Sequence, residues 1–422
     1  METYLICLAV ALIGGLLLSR LTKLLNLPAV TAYLVAGLLL GPFFLGRIGL
    51  NGLGFNSLEQ VEGMSILTQT ALGFIAFTIG NEFRLSQLKA MGRSAITIGI
   101  LQAVITTAVV DIILIGLHLA FPNVISLPCA ITLGAIASAT APAATLMVVR
   151  QYKAEGPLTK LLLLVVAIDD AVGLLLFSAS FGIASALAHG QVSVTAVVLE
   201  PILEIVLSLG LGAVMGWLLN WVEQFFHSRS KRMTSSVAFV LLTVGMSMIK
   251  FQIGGVHFGF SLLLVCMMTG TVFCNICDYS EELMARIESW TVPLNILFFV
   301  ISGAELDLQI LANPLTILVG VIYIIGRSLG KYYGAAISCR LTRQSKPVTD
   351  NLGITLLPQA GVALGMAMTA TALSDGTLVR NVVLFSVLVY ELVGPALTKR
   401  SLLAVGEIKP EGRKSARTPN GK

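Results

Sequence analysis

Charge is what this sequence lacks. Asp, Glu, Lys and Arg make up 12% of its 422 residues, 56% are hydrophobic, and the mean hydropathy is +0.90. A soluble globular domain carries about twice that share of charge, so a soluble fold is excluded. No polar stretch is long enough to form a separate soluble domain. Histidine is scarce too: His118, His189, His227 and His257 lie apart, near the ends of apolar runs, as interfacial polar residues do. The six cysteines (Cys7, Cys129, Cys266, Cys274, Cys277, Cys339) lie mostly in or beside apolar runs. A thiol there behaves as a small hydrophobe, so no disulfides are expected. Cys274-x-x-Cys277 has no second Cys or His pair nearby to complete four zinc ligands. No cofactor is expected. The start also lacks the basic flank and small-residue cleavage site of a signal peptide: Glu2 precedes the first apolar run, and Arg20 and Lys23 follow it. That run should stay attached.

What is present is a series of apolar runs of the length that about 30 Å of hydrocarbon requires. They fall near 4–19, 28–46, 64–83, 95–120, 126–149, 158–188, 194–220, 235–250, 257–275, 291–306, 314–337, 351–373 and 379–397. The expected fold class is therefore an all-α integral membrane protein of about 13 transmembrane helices, with residues 1–400 as the membrane domain. The basic residues set its orientation, because Lys and Arg of short loops concentrate on the cytoplasmic side. Loops after odd-numbered runs, with the tail, hold 22 of the 27; the other side holds Arg47, Lys250 and Arg380. This places the amino terminus outside and the carboxyl terminus in the cytoplasm of a plasma (inner) membrane. The net charge of +5 calls for no nucleic-acid partner; the basic tail, 401–422, contributes much of it and is expected to be disordered.

The chain repeats itself with opposite hand. The third run ends Gly80-Asn81-Glu82 and the tenth ends Gly303-Ala304-Glu305, 223 residues later. Copies seven runs apart must cross the bilayer in opposite directions. The fifth run carries Ala141-Pro142 and the twelfth Pro358-Gln359, again seven runs apart. A proline inside a helix frees backbone groups, which hydrocarbon tolerates only where they line a cavity or meet protein partners. Matched breaks in inverted repeats mark the binding site of a secondary transporter.

Asp169 and Asp170 stand deep inside the sixth run, where each ionised carboxylate costs about 2.5–3.5 kcal/mol on insertion scales. Neighbours on a helix point about 100° apart. One can face a cavity and take up an ion or proton while the other faces a second helix and a buried base. The candidate bases, Arg327 and Lys331, are four apart on one face of the eleventh run, with Lys331 able to snorkel toward the cytoplasm. Asp111, 216 residues before Arg327, is its repeat-mate and a candidate structural partner. Glu391 is the remaining deep acid, placed to neutralise Arg327 or Lys331.

These residues are similar to a known family. Leu27-Pro28-Ala29-Val30-Thr31-Ala32-Tyr33-Leu34-Val35-Ala36-Gly37-Leu38-Leu39-Leu40-Gly41-Pro42, the two Gly-x-Glu ends and the Asp169-Asp170 pair resemble the monovalent cation:proton antiporter-2 family over nearly the whole chain. The resemblance implies a sodium/proton antiporter-like fold with two crossed discontinuous helices. It also implies a core near 95–188 and 314–397, a dimerising scaffold of the remaining helices, a homodimer in membrane lipid, and elevator-type alternating access. By the same resemblance Asp170 binds the metal cation and the proton alternately, Asp169 pairs with Arg327, and Thr140 at the crossing helps hold the ion. The cargo would be Na+ or K+ exchanged for H+. Many electrogenic members carry Lys where this chain has Arg327, and arginine keeps its proton at any working pH, which argues against proton shuttling by that base. The sequence stops after the last helix without the nucleotide-binding regulatory domain of the glutathione-gated potassium branch, so gating of that kind is not expected. The competing classes are a sodium-coupled symporter of the bile-acid type, which needs no carboxylate pair, and an intramembrane aspartyl protease, whose acids must face one another across two helices.

Overall fold

The computed structural model describes residues 2–24, 29–48, 54–81, 83–86, 92–141, 145, 148–149, 152–188, 200–249, 251–253, 256–305, 314–359 and 361–408. Within them the chain forms fifteen α-helices: α1 Glu2–Leu24, α2 Ala29–Leu40, α3 Leu58–Glu62, α4 Ser65–Asn81, α5 Gly92–Ala120, α6 Leu127–Ile136, α7 Pro157–Ala188, α8 Glu200–Glu223, α9 Arg229–Ser247, α10 Leu262–Ile276, α11 Ser280–Ala304, α12 Pro314–Leu341, α13 Lys346–Thr355, α14 Gly361–Ala370 and α15 Gly376–Ala404. Among the described residues eight spans are long and apolar enough to cross a membrane, and α6, α10 and α14 are shorter apolar helices. The all-helical expectation holds apart from one antiparallel β hairpin, β1 Phe251–Ile253 with β2 Val256–Phe258.

Long apolar helices carry the architecture because a helix satisfies its own backbone where no water can. Neighbouring helices then meet through small residues, which let backbones approach closely. On α12, Gly326, Gly330 and Gly334 form a four-residue stripe against α5; a Cβ at Gly330 would lie 3.0 Å from Thr106 Cα, and one at Gly334 3.0 Å from the Gln102 carbonyl. The two halves repeat such contacts. Gly80 of α4 and Gly270 of α10 abut the Met267 and Phe77 carbonyls, while Gly303 of α11 and Gly37 of α2 abut those of Leu34 and Val300. These helix pairs are related by the same seven-run shift as the Gly-x-Glu ends.

Two of the apolar runs do not stay helical. The fifth begins as α6, capped by Ser126, whose hydroxyl accepts from Cys129 N at 3.4 Å, and ends at Ala137. Residues 139–141 are not helical; Pro142 lies outside the described residues. The twelfth run breaks between α13 and α14, where Pro358 has no N–H to offer the Ile354 carbonyl and its ring excludes a continued helix.

The expected disordered tail from 401 is corrected at its start. Helix α15 runs on to Ala404, and the turn after it folds back on α7. Glu407 accepts from Leu158 N and Thr159 N, both at 2.7 Å, and from the Thr159 hydroxyl at 2.6 Å. Helix α7 opens with Gly156-Pro157, which offers no capping side chain, so a residue from the far end of the chain satisfies its orphan amides. The rest of the tail, 409–422, lies outside the described residues.

Candidate functional site

The two broken runs meet at their non-helical segments. Ala141 N donates to Pro358 O at 2.8 Å, Thr140 Oγ1 to Leu356 O at 3.2 Å, and Thr145 Oγ1 to Thr355 O at 3.3 Å. Each half-helix that stops inside the protein leaves carbonyls without an intrahelical partner. The side chains around the crossing supply the donors. Gln359 Nε2 donates to Ile136 O at 3.1 Å, and its Oε1 accepts from Ser386 at 3.2 Å. Arg327, fully buried, donates from Nε to Ala137 O at 3.0 Å, from Nη1 to Leu357 O at 2.6 Å, and from Nη2 to Ala139 O at 2.7 Å and Pro358 O at 3.5 Å. Its guanidinium lies over the Tyr390 ring, 4.5 Å from the centroid.

The base that meets Asp169 is Lys331. Its Nζ lies 2.8 Å from Asp169 Oδ2, both side chains are completely buried, and it also donates to Gln102 Oε1 at 3.1 Å and to Ser138 O. Gln102 of α5 closes the cluster: its Nε2 donates to Asp169 Oδ1 and to Gly99 O, the latter at 3.2 Å. The expected Asp169–Arg327 pair is therefore corrected. A planar five-donor fork suits several carbonyls at once, and a compact ammonium suits a carboxylate, an amide and one further carbonyl. Lys331 does not snorkel; its ammonium is held inside.

Other expected partners also differ. Asp111 packs against Gly134 of α6, and its Oδ1 has no hydrogen bond; Arg327 is occupied by carbonyls. Glu391 accepts from Thr31 of α2 at 3.3 Å and neutralises neither base. Of the repeated glutamates, Glu305 is buried with Arg380 at 3.6 Å, while Glu82 lies outside the described residues. Asp170 follows Asp169 on α7, with its side chain outside the described residues. Gln102 was not singled out in the sequence, although a lone amide in the middle of the apolar run 95–120 was its visible sign.

A helical bundle with inverted repeats, two broken helices crossing at mid-bundle and a buried acid–base cluster beside the crossing is the architecture of a cation:proton antiporter. A family model described as sodium/hydrogen exchanger, transmembrane, matches residues 8–400, and the chain belongs to that family. A solved structure of the sodium proton antiporter MjNhaP1 from Methanocaldococcus jannaschii at pH 8 is similar at 20% identity, with 94% of this chain and 97% of that one covered and a TM-score of 0.70. An electron-microscopy structure of MjNhaP1 from the same organism is similar at 17% identity, with 96% and 98% covered and a TM-score of 0.65. At these identities the likeness is one of fold. The search of curated proteins returned no match. The chain is thus a multi-pass membrane transporter of the exchanger family.

Proposed function

We propose that this protein exchanges Na+ or K+ for H+ at Asp170, one carboxylate that holds the metal cation and the proton in turn. The observation that carries this is the full engagement of Asp169. Lys331 and Gln102 take its two oxygens, and the carbonyls of the crossing have protein donors in Arg327, Lys331, Gln359 and Thr140. The cargo role is assigned to the adjacent acid, Asp170, one position on along α7 and so rotated about 100° around the helix. Asp169 then acts as fixed counter-charge to Lys331, and Arg327 with Gln359 braces the crossing of Ala141-Pro142 and Pro358-Gln359. Thr140 contributes by tying the two non-helical segments together through Leu356 O.

In the mechanism proposed here, a core of about 95–188 and 314–397 moves as an elevator against a scaffold of the other helices in a homodimer. The protein sits in the plasma (inner) membrane with its amino terminus outside, the orientation favoured by the basic loops. A filled site permits the crossing, so proton and cation exclude each other and exchange is obligatory. The apparent cation affinity should weaken as pH falls while the maximal rate changes little. The test is Na+ and K+ titration of proton release from proteoliposomes at several pH values. An affinity independent of pH, or cation uptake accompanied by protons moving in the same direction, contradicts the proposal.

A further inference from the structure

Helix α11 lies against α2 and α4, whereas α15 lies against α12, α13 and α14, and no extended packing joins α11 to α15 among the described residues. Phe299, Ser302 and Glu305 share one face of α11 by their spacing of three. That face meets the second set of helices. A Cβ at Gly361 of α14 would lie 3.3 Å from Phe299 Cζ. Further along, Glu305 Oε2 lies 3.6 Å from Arg380 Nη1 of α15, and both residues are buried. Neither Glu305 Oε2 nor Arg380 Nε has a hydrogen bond among the described residues, so charge joins the two helices rather than a clasp of hydrogen bonds. Glu62, at the end of α3, is near enough to act on Glu305 as a second acid. Ser302, one turn deeper than Glu305, is buried with its hydroxyl unpartnered among the described residues. Of the three basic residues on the side that the loops assign to the outside, Arg47 and Lys250 fall in the proposed scaffold and Arg380 in the proposed core.

From this contact we infer that Glu305 and Arg380 form a latch across the boundary between scaffold and core. It is made in this conformation, holds the outer side closed over Ser302, and parts each time the core moves. The inference rests on the elevator reading and the orientation proposed above. A packed phenylalanine can slide along a helix face, but a charge pair has to separate. A buried pair is little screened by salt, and a contact made in one of two conformations favours that conformation.

Two measurements on the full chain test the latch. The first links Glu305→Cys to Arg380→Cys in proteoliposomes with a reducible bifunctional thiol reagent. All six native cysteines are buried, and the treated unaltered protein gives the background. The linked protein should lose cation-driven proton flux and regain it on reduction; flux unchanged by the link overturns the inference. Thr31→Cys with Glu391→Cys, replacing a second contact between the proposed scaffold and core, separates the two ideas. If that link stops the flux and the first does not, only the latch fails; if neither link stops it, the elevator reading fails as well. The second measurement is the rate at which Ser302→Cys reacts with a membrane-impermeant maleimide added on the outer side. Glu305→Gln or Arg380→Gln in that background should raise the rate several-fold, and Glu305→Arg with Arg380→Glu should bring it back. A rate that the single substitutions leave unchanged, or that the charge swap leaves high, overturns the latch.

Discussion

Replacing Lys331 with methionine removes a charge and keeps much of the side chain's length, so what changes is the company of Asp169. In the native protein the ammonium lies 2.8 Å from Asp169 Oδ2 with neither group exposed. Its removal leaves a buried carboxylate with only the Gln102 amide, and takes a donor from the Ser138 carbonyl at the end of α6. Breaking a buried pair from one side costs about 3–5 kcal/mol. One kcal/mol moves the melting temperature by about 2–4 °C in chains of 150–250 residues and by less in longer ones, so a fall of about 5–10 °C is expected. Asp169→Asn should cost a comparable amount, because it takes from the buried ammonium the carboxylate 2.8 Å away. The double variant carries no stranded charge and should be more stable than the sum of the single losses implies, by about 1–3 kcal/mol of coupling. Thermal unfolding in detergent of the two single variants and the double variant reads this. Additive losses would show that the contact carries no energy. A loss confined to Arg327→Gln, with Lys331→Met neutral, would return the pairing to Arg327.

Arg327→Gln should also destabilise the protein, for a different reason: the carbonyls of Ala137, Ala139 and Leu357 lose their donors, at about 1–3 kcal/mol for each buried acceptor left unsatisfied. Because no carboxylate partner is involved, its loss should add to that of Asp169→Asn, which a double variant checks in the same melt. Glu407→Ala should cost about 1–2 kcal/mol by uncapping α7. Backbone hydrogen exchange at Leu158 and Thr159 should accelerate in that variant, and unchanged protection there would refute the cap.

The membrane class, the repeat and the crossing were legible because each is a local violation of an apolar background. Two acids inside a run of leucines, and prolines at matching places in runs five and twelve, cannot be neutral decoration in hydrocarbon. The choice between Arg327 and Lys331 was not legible. Residues four apart share a helix face, and which one reaches Asp169 depends on the registration of α12 against α7, about one helical turn. The Gly326-Gly330-Gly334 stripe packs α12 on α5, and the spacing of its glycines does not give the register against α7. Glu407 could not have been matched to α7, since 249 residues separate it from Leu158. The β hairpin falls largely between the eighth and ninth runs, where its one sign in the sequence is Gly254-Gly255 between two short apolar stretches.

The central claim is that Asp170 carries the exchange, and Asp170→Asn tests it most directly. Asparagine keeps the size and an oxygen, and has no proton to exchange. In proteoliposomes holding a well-folded Asp170→Asn protein, cation-driven proton flux should fall to the level of empty vesicles. Flux near that of the unaltered protein would remove Asp170 from the reaction and contradict the account.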